Sequence, residues 1–131
     1  MQKHGILNSS IAKVLADLGH TDQVTIGDLG LPTPKGVEKI DLALKVGTPS
    51  FIEALETVQA EMQIEKIILA EEIKEQNPAQ LFAIKQLFPE TAIQFLSHEA
   101  FKIQTQASKA LIRTGEATPY ANIILQSGVI F

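Results

Sequence analysis

The sequence predicts an α/β fold: a layered, mostly parallel sheet with helices packed on it, in one domain over residues 1–131. Three observations point there. Short apolar runs rich in β-branched residues alternate with segments whose apolar side chains recur at helical spacing. One of those runs, Lys66-Ile67-Ile68-Leu69-Ala70, is apolar enough to be covered on both faces, as parallel strands are. The chain has 131 residues, 45% hydrophobic and 20% charged, which suits one domain with a real core, and no linker, repeat or low-complexity stretch divides it.

Taken in order, Asn8-Ser9-Ser10 supplies capping side chains ahead of Ile11, Val14, Leu15 and Leu18, one apolar helical face. Gly19 suits the left-handed position that follows a helix. His20 then falls just beyond the last carbonyls, where the helix dipole favours positive charge. Val24–Ile26 reads as a short buried strand, and Leu31–Gly36 as a loop held to one shape by Pro32 and Pro34. Ile40–Leu44 is the next strand. Gly47-Thr48-Pro49-Ser50 opens a helix with Thr48 as N-cap and Pro49 at the first helical position, its inner face Phe51, Leu55, Val58 and Met62. Lys66–Ala70 is a third strand, and Asn77-Pro78 starts another helix that buries Leu81, Ile84, Leu87 and Phe88. Ala92–Leu96 is a fourth strand, after which Ser97 caps a short helix opening with His98. Ala110–Arg113 and Asn122–Leu125 are two late strands, expected to pair antiparallel with each other.

Composition excludes several functions. The chain has no Cys, so disulfides, thiolate metal sites and thiol nucleophiles are out. Net charge is -4 with lysines scattered, whereas a nucleic-acid surface needs a basic stripe against phosphates. Aromatic residues are 5%, too few for base-stacking platforms. Met1-Gln2-Lys3-His4-Gly5 is no basic-then-apolar signal and no apolar run approaches membrane-spanning length, so a cytoplasmic protein with no membrane partner is expected. His4, His20 and His98 lack ligand-like spacing, and no metal is expected. Gly27-Asp28-Leu29-Gly30 lacks the third glycine of a dinucleotide fingerprint, and no serine elbow or phosphate loop is present.

What remains is titratable residues at element ends, where polar side chains meet ligands. His20 ends a helix and Asp28 ends the next strand, so the two read as an acid/base pair in a small-molecule site. The alternative is that His20 caps carbonyls and Asp28 solvates a turn. His98 occupies the equivalent place after the fourth strand, where position alone suits a capping or surface role. Tyr120, the sole tyrosine, and Asn122 offer donors and acceptors that suit hydroxyl-rich ligands. Arg113 and Glu116 read as a solvated rim.

Several of these segments together resemble the D-ribose pyranase family. They are Gly5-Ile6-Leu7-Asn8, Leu18-Gly19-His20-Thr21-Asp22, Asp28-Leu29-Gly30-Leu31-Pro32-Thr33-Pro34, Asp41-Leu42-Ala43-Leu44-Lys45, Leu69-Ala70-Glu71-Glu72-Ile73, Ser97-His98-Glu99, Arg113-Thr114-Gly115-Glu116 and Tyr120-Ala121-Asn122. The resemblance covers the whole chain. It implies an enzyme that interconverts the pyranose and furanose rings of ribose without a cofactor. It also implies His20 as proton donor, with Asp28, His98, Tyr120, Ala121 and Asn122 contacting the sugar. The assemblies it implies are homo-oligomeric rings, pentamers that stack as decamers, with sites near subunit boundaries. Gly27 and Leu29 depart from the family, which usually carries alanine and then alanine or cysteine there. Opening a cyclic hemiacetal needs a proton on the ring oxygen and loss of one from the anomeric hydroxyl; groups titrating near neutrality each supply roughly 10²–10⁴-fold. His98 is the candidate acceptor of the anomeric proton, and Asp28 either orients His20 or holds a sugar hydroxyl. Competing readings are a fucose mutarotase from a related branch, a sugar-binding accessory protein of ribose uptake, and a purely structural assembly subunit.

Overall fold

In the computed structural model, which describes residues 1–131, the elements are α1 (Ser9–Asp17), β1 (Gln23–Gly27), β2 (Glu38–Asp41), α2 (Phe51–Gln59), β3 (Ile64–Ala70), α3 (Ile73–Gln76), α4 (Pro78–Leu87), β4 (Ala92–Leu96), α5 (His98–Gln104), a 3-10 turn (Thr105–Ala107), β5 (Ser108–Arg113) and β6 (Ile123–Ser127). The strands form one six-stranded sheet in the order β2-β5-β1-β6-β3-β4. β1 is parallel to β5, β5 to β2 and β3 to β4, while β6 is antiparallel to both β1 and β3. The mostly parallel layered sheet is therefore as the sequence predicts.

Period-two alternation divides the apolar side chains between two cores. Val24, Ile26, Ile67, Leu69, Ile112, Ile123 and Leu125 face the larger core, which α1, α2 and α4 cover with Ile11, Val14, Phe51, Leu55, Val58, Leu81 and Ile84. Ile68, Leu111 and Ile124 face the smaller one, where Leu31 and Phe101 of α5 lie against them. Covered on both sides, β1 is buried from end to end. No helix is long and apolar enough to cross a membrane.

Helix starts follow local capping chemistry. Asn8 Oδ1 accepts from Ile11 N, Ser97 Oγ from Ala100 N, and Asn77 Oδ1 from Gln80 N with Pro78 at the first helical position. Four expectations need correction. The second helix is capped by Ser50, whose Oγ accepts from Glu53 N, and not by Thr48, because Thr48 is drawn into a turn with Lys45 and Pro49 O accepts from Gly115 N at 2.8 Å. The second strand lies at Glu38–Asp41 and not 40–44: Asp41 Oδ1 takes Ala43 N at 3.0 Å and ends the ladder. Gly19 is not left-handed; Leu18 leaves the helix extended, and Thr21 carries the positive φ of 70° in a turn where Asp22 Oδ2 accepts from Gly19 N. Finally, β5 and β6 do not pair, for β1 lies between them. Thr114 donates to Gly27 O from both its N–H (2.9 Å) and its hydroxyl (2.8 Å), so the connection crosses the end of β1 instead of doubling back.

Candidate active site

Reversal of β6 decides where the site forms. Its first residues lie beside the last residues of β1, as the register Ile26↔Ile123 requires. The C-terminal ends of β1 and β4 and the N-terminal end of β6 thus share one edge, the edge at which open α/β sheets take ligands. An open pocket of about 360 Å³ lies there, lined by Asp28, Gly30, Leu31, Pro32, His98, Lys102, Pro119, Tyr120 and Asn122.

Its polar groups hold one another. Asp28 N donates to Asn122 Oδ1 (2.8 Å) and Asn122 Nδ2 donates back to Asp28 Oδ2 (3.2 Å). Asp28 Oδ1 accepts from the N–H groups of Gly30 and Leu31, both at 2.9 Å. Gly27 matters here for packing: a Cβ at that position would lie 2.7 Å from Leu31 Cδ2 and 3.2 Å from Asn122 Oδ1. Its missing side chain makes room for Leu31 and Asn122.

His98 starts α5, and its N–H donates to Glu72 Oε2 at 2.7 Å. Its ring meets Tyr120 edge-on (5.1 Å between centroids, 83°) and stacks on Phe101 at 6.4 Å. Nδ1 of His98 is buried without a hydrogen-bond partner. Lys102, one helical turn on, pairs with Glu99 Oε1 at 2.8 Å. The Tyr120 loop is pinned from outside the pocket, where the buried Asn77 donates from Nδ2 to Thr118 Oγ1 (3.0 Å) and Pro119 O (2.8 Å). Tyr120 itself has φ 56°, and Ala121 is fully buried beneath it.

Of the sequence-predicted residues, Asp28, His98, Tyr120 and Asn122 come together, with Ala121 packed under them. His20 does not join them within one chain. It sits before β1 and Asp28 after it, so the strand separates them by roughly 16 Å. The expected His20–Asp28 pair is therefore not made inside a protomer. His20 is instead half-exposed at the opposite sheet edge, its Nε2 2.9 Å from Glu65 Oε2. Glu116, read as a rim residue, is buried: Oε1 accepts from Phe51 N at 3.1 Å and Oε2 from the Thr118 hydroxyl at 2.9 Å. Burial alone would raise its carboxyl, but the N–H of Phe51, the hydroxyl and N–H of Thr118 and the N–H of Ala117 outweigh that and hold it below its ordinary value. Sequence reasoning missed Lys102, although its spacing from His98 puts both on one helical face. Glu72 and Glu65 gave no signal beyond an ordinary charged residue beside a strand.

A shallow pocket of carboxylate, amide, imidazole, phenol and ammonium groups on an α/β sheet has the chemistry that suits a small hydroxyl-rich molecule. The comparisons agree with that class. The chain belongs to the RbsD / FucU transport protein family, whose model matches residues 1–130. It is 61% identical over 130 residues to the D-ribose pyranase of Streptococcus uberis, covering 98% of each chain, and 56% identical over 131 residues to that of Bacillus subtilis, covering 100% of each. Among solved structures it superposes on Bacillus subtilis RbsD complexed with D-ribose with a TM-score of 0.98 at 56% identity over 100% of both chains. FucU from Bifidobacterium longum gives a TM-score of 0.82 at 26% identity, covering 95% of this chain and 97% of that one.

Proposed function

We propose that this chain is a D-ribose pyranase, an isomerase that interconverts the pyranose and furanose forms of ribose. One observation carries the reading: end-to-end likeness, at 56% identity and a TM-score of 0.98, to a protein solved with D-ribose bound. The likeness to FucU from Bifidobacterium longum, at 26% identity, is far weaker, which favours ribose over a fucose-type substrate.

The pocket residues fit the chemistry. In our reading Asp28, Lys102, Tyr120 and Asn122 hold sugar hydroxyls, with Ala121 supporting the loop beneath. A buried nitrogen without an acceptor is better left as a lone pair than as an N–H, so His98 keeps Nδ1 bare and carries its hydrogen on Nε2. His98 then donates a hydrogen bond to the sugar, and Asp28 is the pocket group that receives the anomeric proton. His20 protonates the ring oxygen; since β1 holds it away from its own pocket, it serves the pocket of a neighbouring copy. The working form is accordingly a homo-oligomer, a pentamer or a stacked decamer, acting in the cytoplasm without a cofactor.

Saturation-transfer NMR of D-ribose tests this. Catalytic amounts of protein should accelerate exchange between pyranose and furanose signals, and His20→Ala should lower that rate by about 10²–10⁴-fold while sparing the fold. Binding detected by calorimetry without faster exchange would instead identify a sugar-binding accessory protein.

A further inference from the structure

The sheet edge opposite the pocket carries a hydrogen-bonded file of amides that ring opening, as described above, leaves without a role. Gln104, at the end of α5, donates from Nε2 to Gln23 Oε1 (2.9 Å), and Gln23 donates from Nε2 to Gln126 Oε1 (3.0 Å). Gln126 in turn donates from Nε2 to Glu65 Oε1 at 2.7 Å, and the other Glu65 oxygen faces His20 Nε2 at 2.9 Å. Strand register builds the file, because Gln126 pairs with Gln23 on one side and Lys66 on the other. Gln23 and Gln126 each accept at oxygen and donate at nitrogen, so the file has one direction and ends on a carboxylate, which only accepts.

Two consequences follow for His20. A carboxylate has no hydrogen to give, so the ring nitrogen against it carries one, and the neutral ring keeps its lone pair on Nδ1. His20 and Glu65 side chains are 54% and 36% exposed, so without further support both would sample other rotamers. The bond from Gln126 is what ties Glu65 down; it is also the largest influence holding the Glu65 carboxyl below its ordinary value, ahead of His20 itself. The other charged groups near this edge are Lys66 and the Asp22–Lys109 pair (3.6 Å).

We propose that Gln104, Gln23 and Gln126 are positioning residues that lock the Glu65–His20 pair: Nε2 keeps its hydrogen on Glu65, while Nδ1 takes up a proton from solvent, passes it to the ring oxygen and is left as a lone pair. The file starts on α5, the helix that carries His98 and Lys102 into the pocket, and so ties the support of the acid to the element that holds the sugar. This inference rests on the ribose pyranase reading.

The test combines nitrogen-detected NMR of the imidazole with ribose exchange kinetics, on wild type, Gln126→Met and Glu65→Gln. Wild-type His20 should be the Nε2–H tautomer before any sugar is added. Gln126→Met should mix the tautomers and lower kcat by about tenfold, a part of the roughly 10²–10⁴ that a positioned acid supplies, with KM for ribose unchanged. Gln104→Met, at a partly exposed helix end, should do the same to a smaller degree and serves if Gln126→Met does not fold. An Nδ1–H tautomer in the wild type, an unaltered tautomer and kcat in Gln126→Met, or a loss appearing in KM alone would overturn the proposal. Absence of ring exchange in the wild type sinks the pyranase reading instead, and the tautomer measurement still judges the file.

Discussion

Asp28 spends its carboxylate on three neighbours, the N–H groups of Gly30 and Leu31 and the amide of Asn122, and so sets the shape of the pocket floor. Removing it leaves those donors unpaired, each a loss of about 1–3 kcal/mol where the group is buried. Asp28→Ala should therefore cost both ribose affinity by calorimetry and midpoint in a denaturant titration, whereas Tyr120→Phe, which removes only a hydroxyl, should change affinity alone. At this scale the sequence was informative where a polar residue borders a strand: Asp28 and His98 come just after one, Tyr120 and Asn122 just before one. Lys102, Glu65, Glu72 and the glutamines lie inside or beside regular elements, where the same residue types ordinarily face solvent. Lys102 pairs with Glu99 on its own helix, but the partners of the others lie far away in the chain, and nothing local announces them.

Between elements, the connection from β5 to β6 acts as a clamp. Gly115 fits against the turn before α2 so closely that a Cβ would lie 2.5 Å from Thr48 N and O and 2.6 Å from Lys45 O. Backbone cannot yield there as a side chain can, so Gly115→Ala should destabilise by about 1–3 kcal/mol or more in denaturant unfolding. Next to it, Glu116 caps the start of α2 through Phe51 N. Because its pKa is lower folded than unfolded, its stabilisation is complete above the unfolded value of about 4.3 and is lost as pH falls through the lower folded value. Glu116→Gln should flatten the acid limb of a stability-versus-pH curve below about pH 4 and leave its neutral region shallow as before. Caps were legible where one residue decides them, as at Asn8, Asn77 and Ser97. At Thr48 the tertiary grip of Gly115 overrode a good local signal, and at Asp41 a side chain ended a strand that apolar pattern alone extends.

For the whole molecule, alternation of runs and helical faces foretold the layered sheet but not its order, since insertion of β6 between β1 and β3 depends on where Thr114 docks. That order sets His20 and His98 at opposite edges of one protomer. Two inactive variants, His20→Ala and His98→Ala, should thus regain ring exchange when unfolded together and reassembled, because some neighbours then join an intact pocket to an intact acid. Separate reassembly of each should give none. Sedimentation of the same samples reports whether the copies assemble and to what size.

The backward run of β6 has one more effect. A single stiff rod presents Tyr120 and Asn122 to the pocket at its head and, at its foot, Gln126 as the prop beneath the Glu65–His20 pair. On the proposed reading each copy is both host and donor, and no copy finishes a turnover with its own parts. Surface changes that keep the copies apart should leave a folded chain that still grips ribose yet never changes its ring.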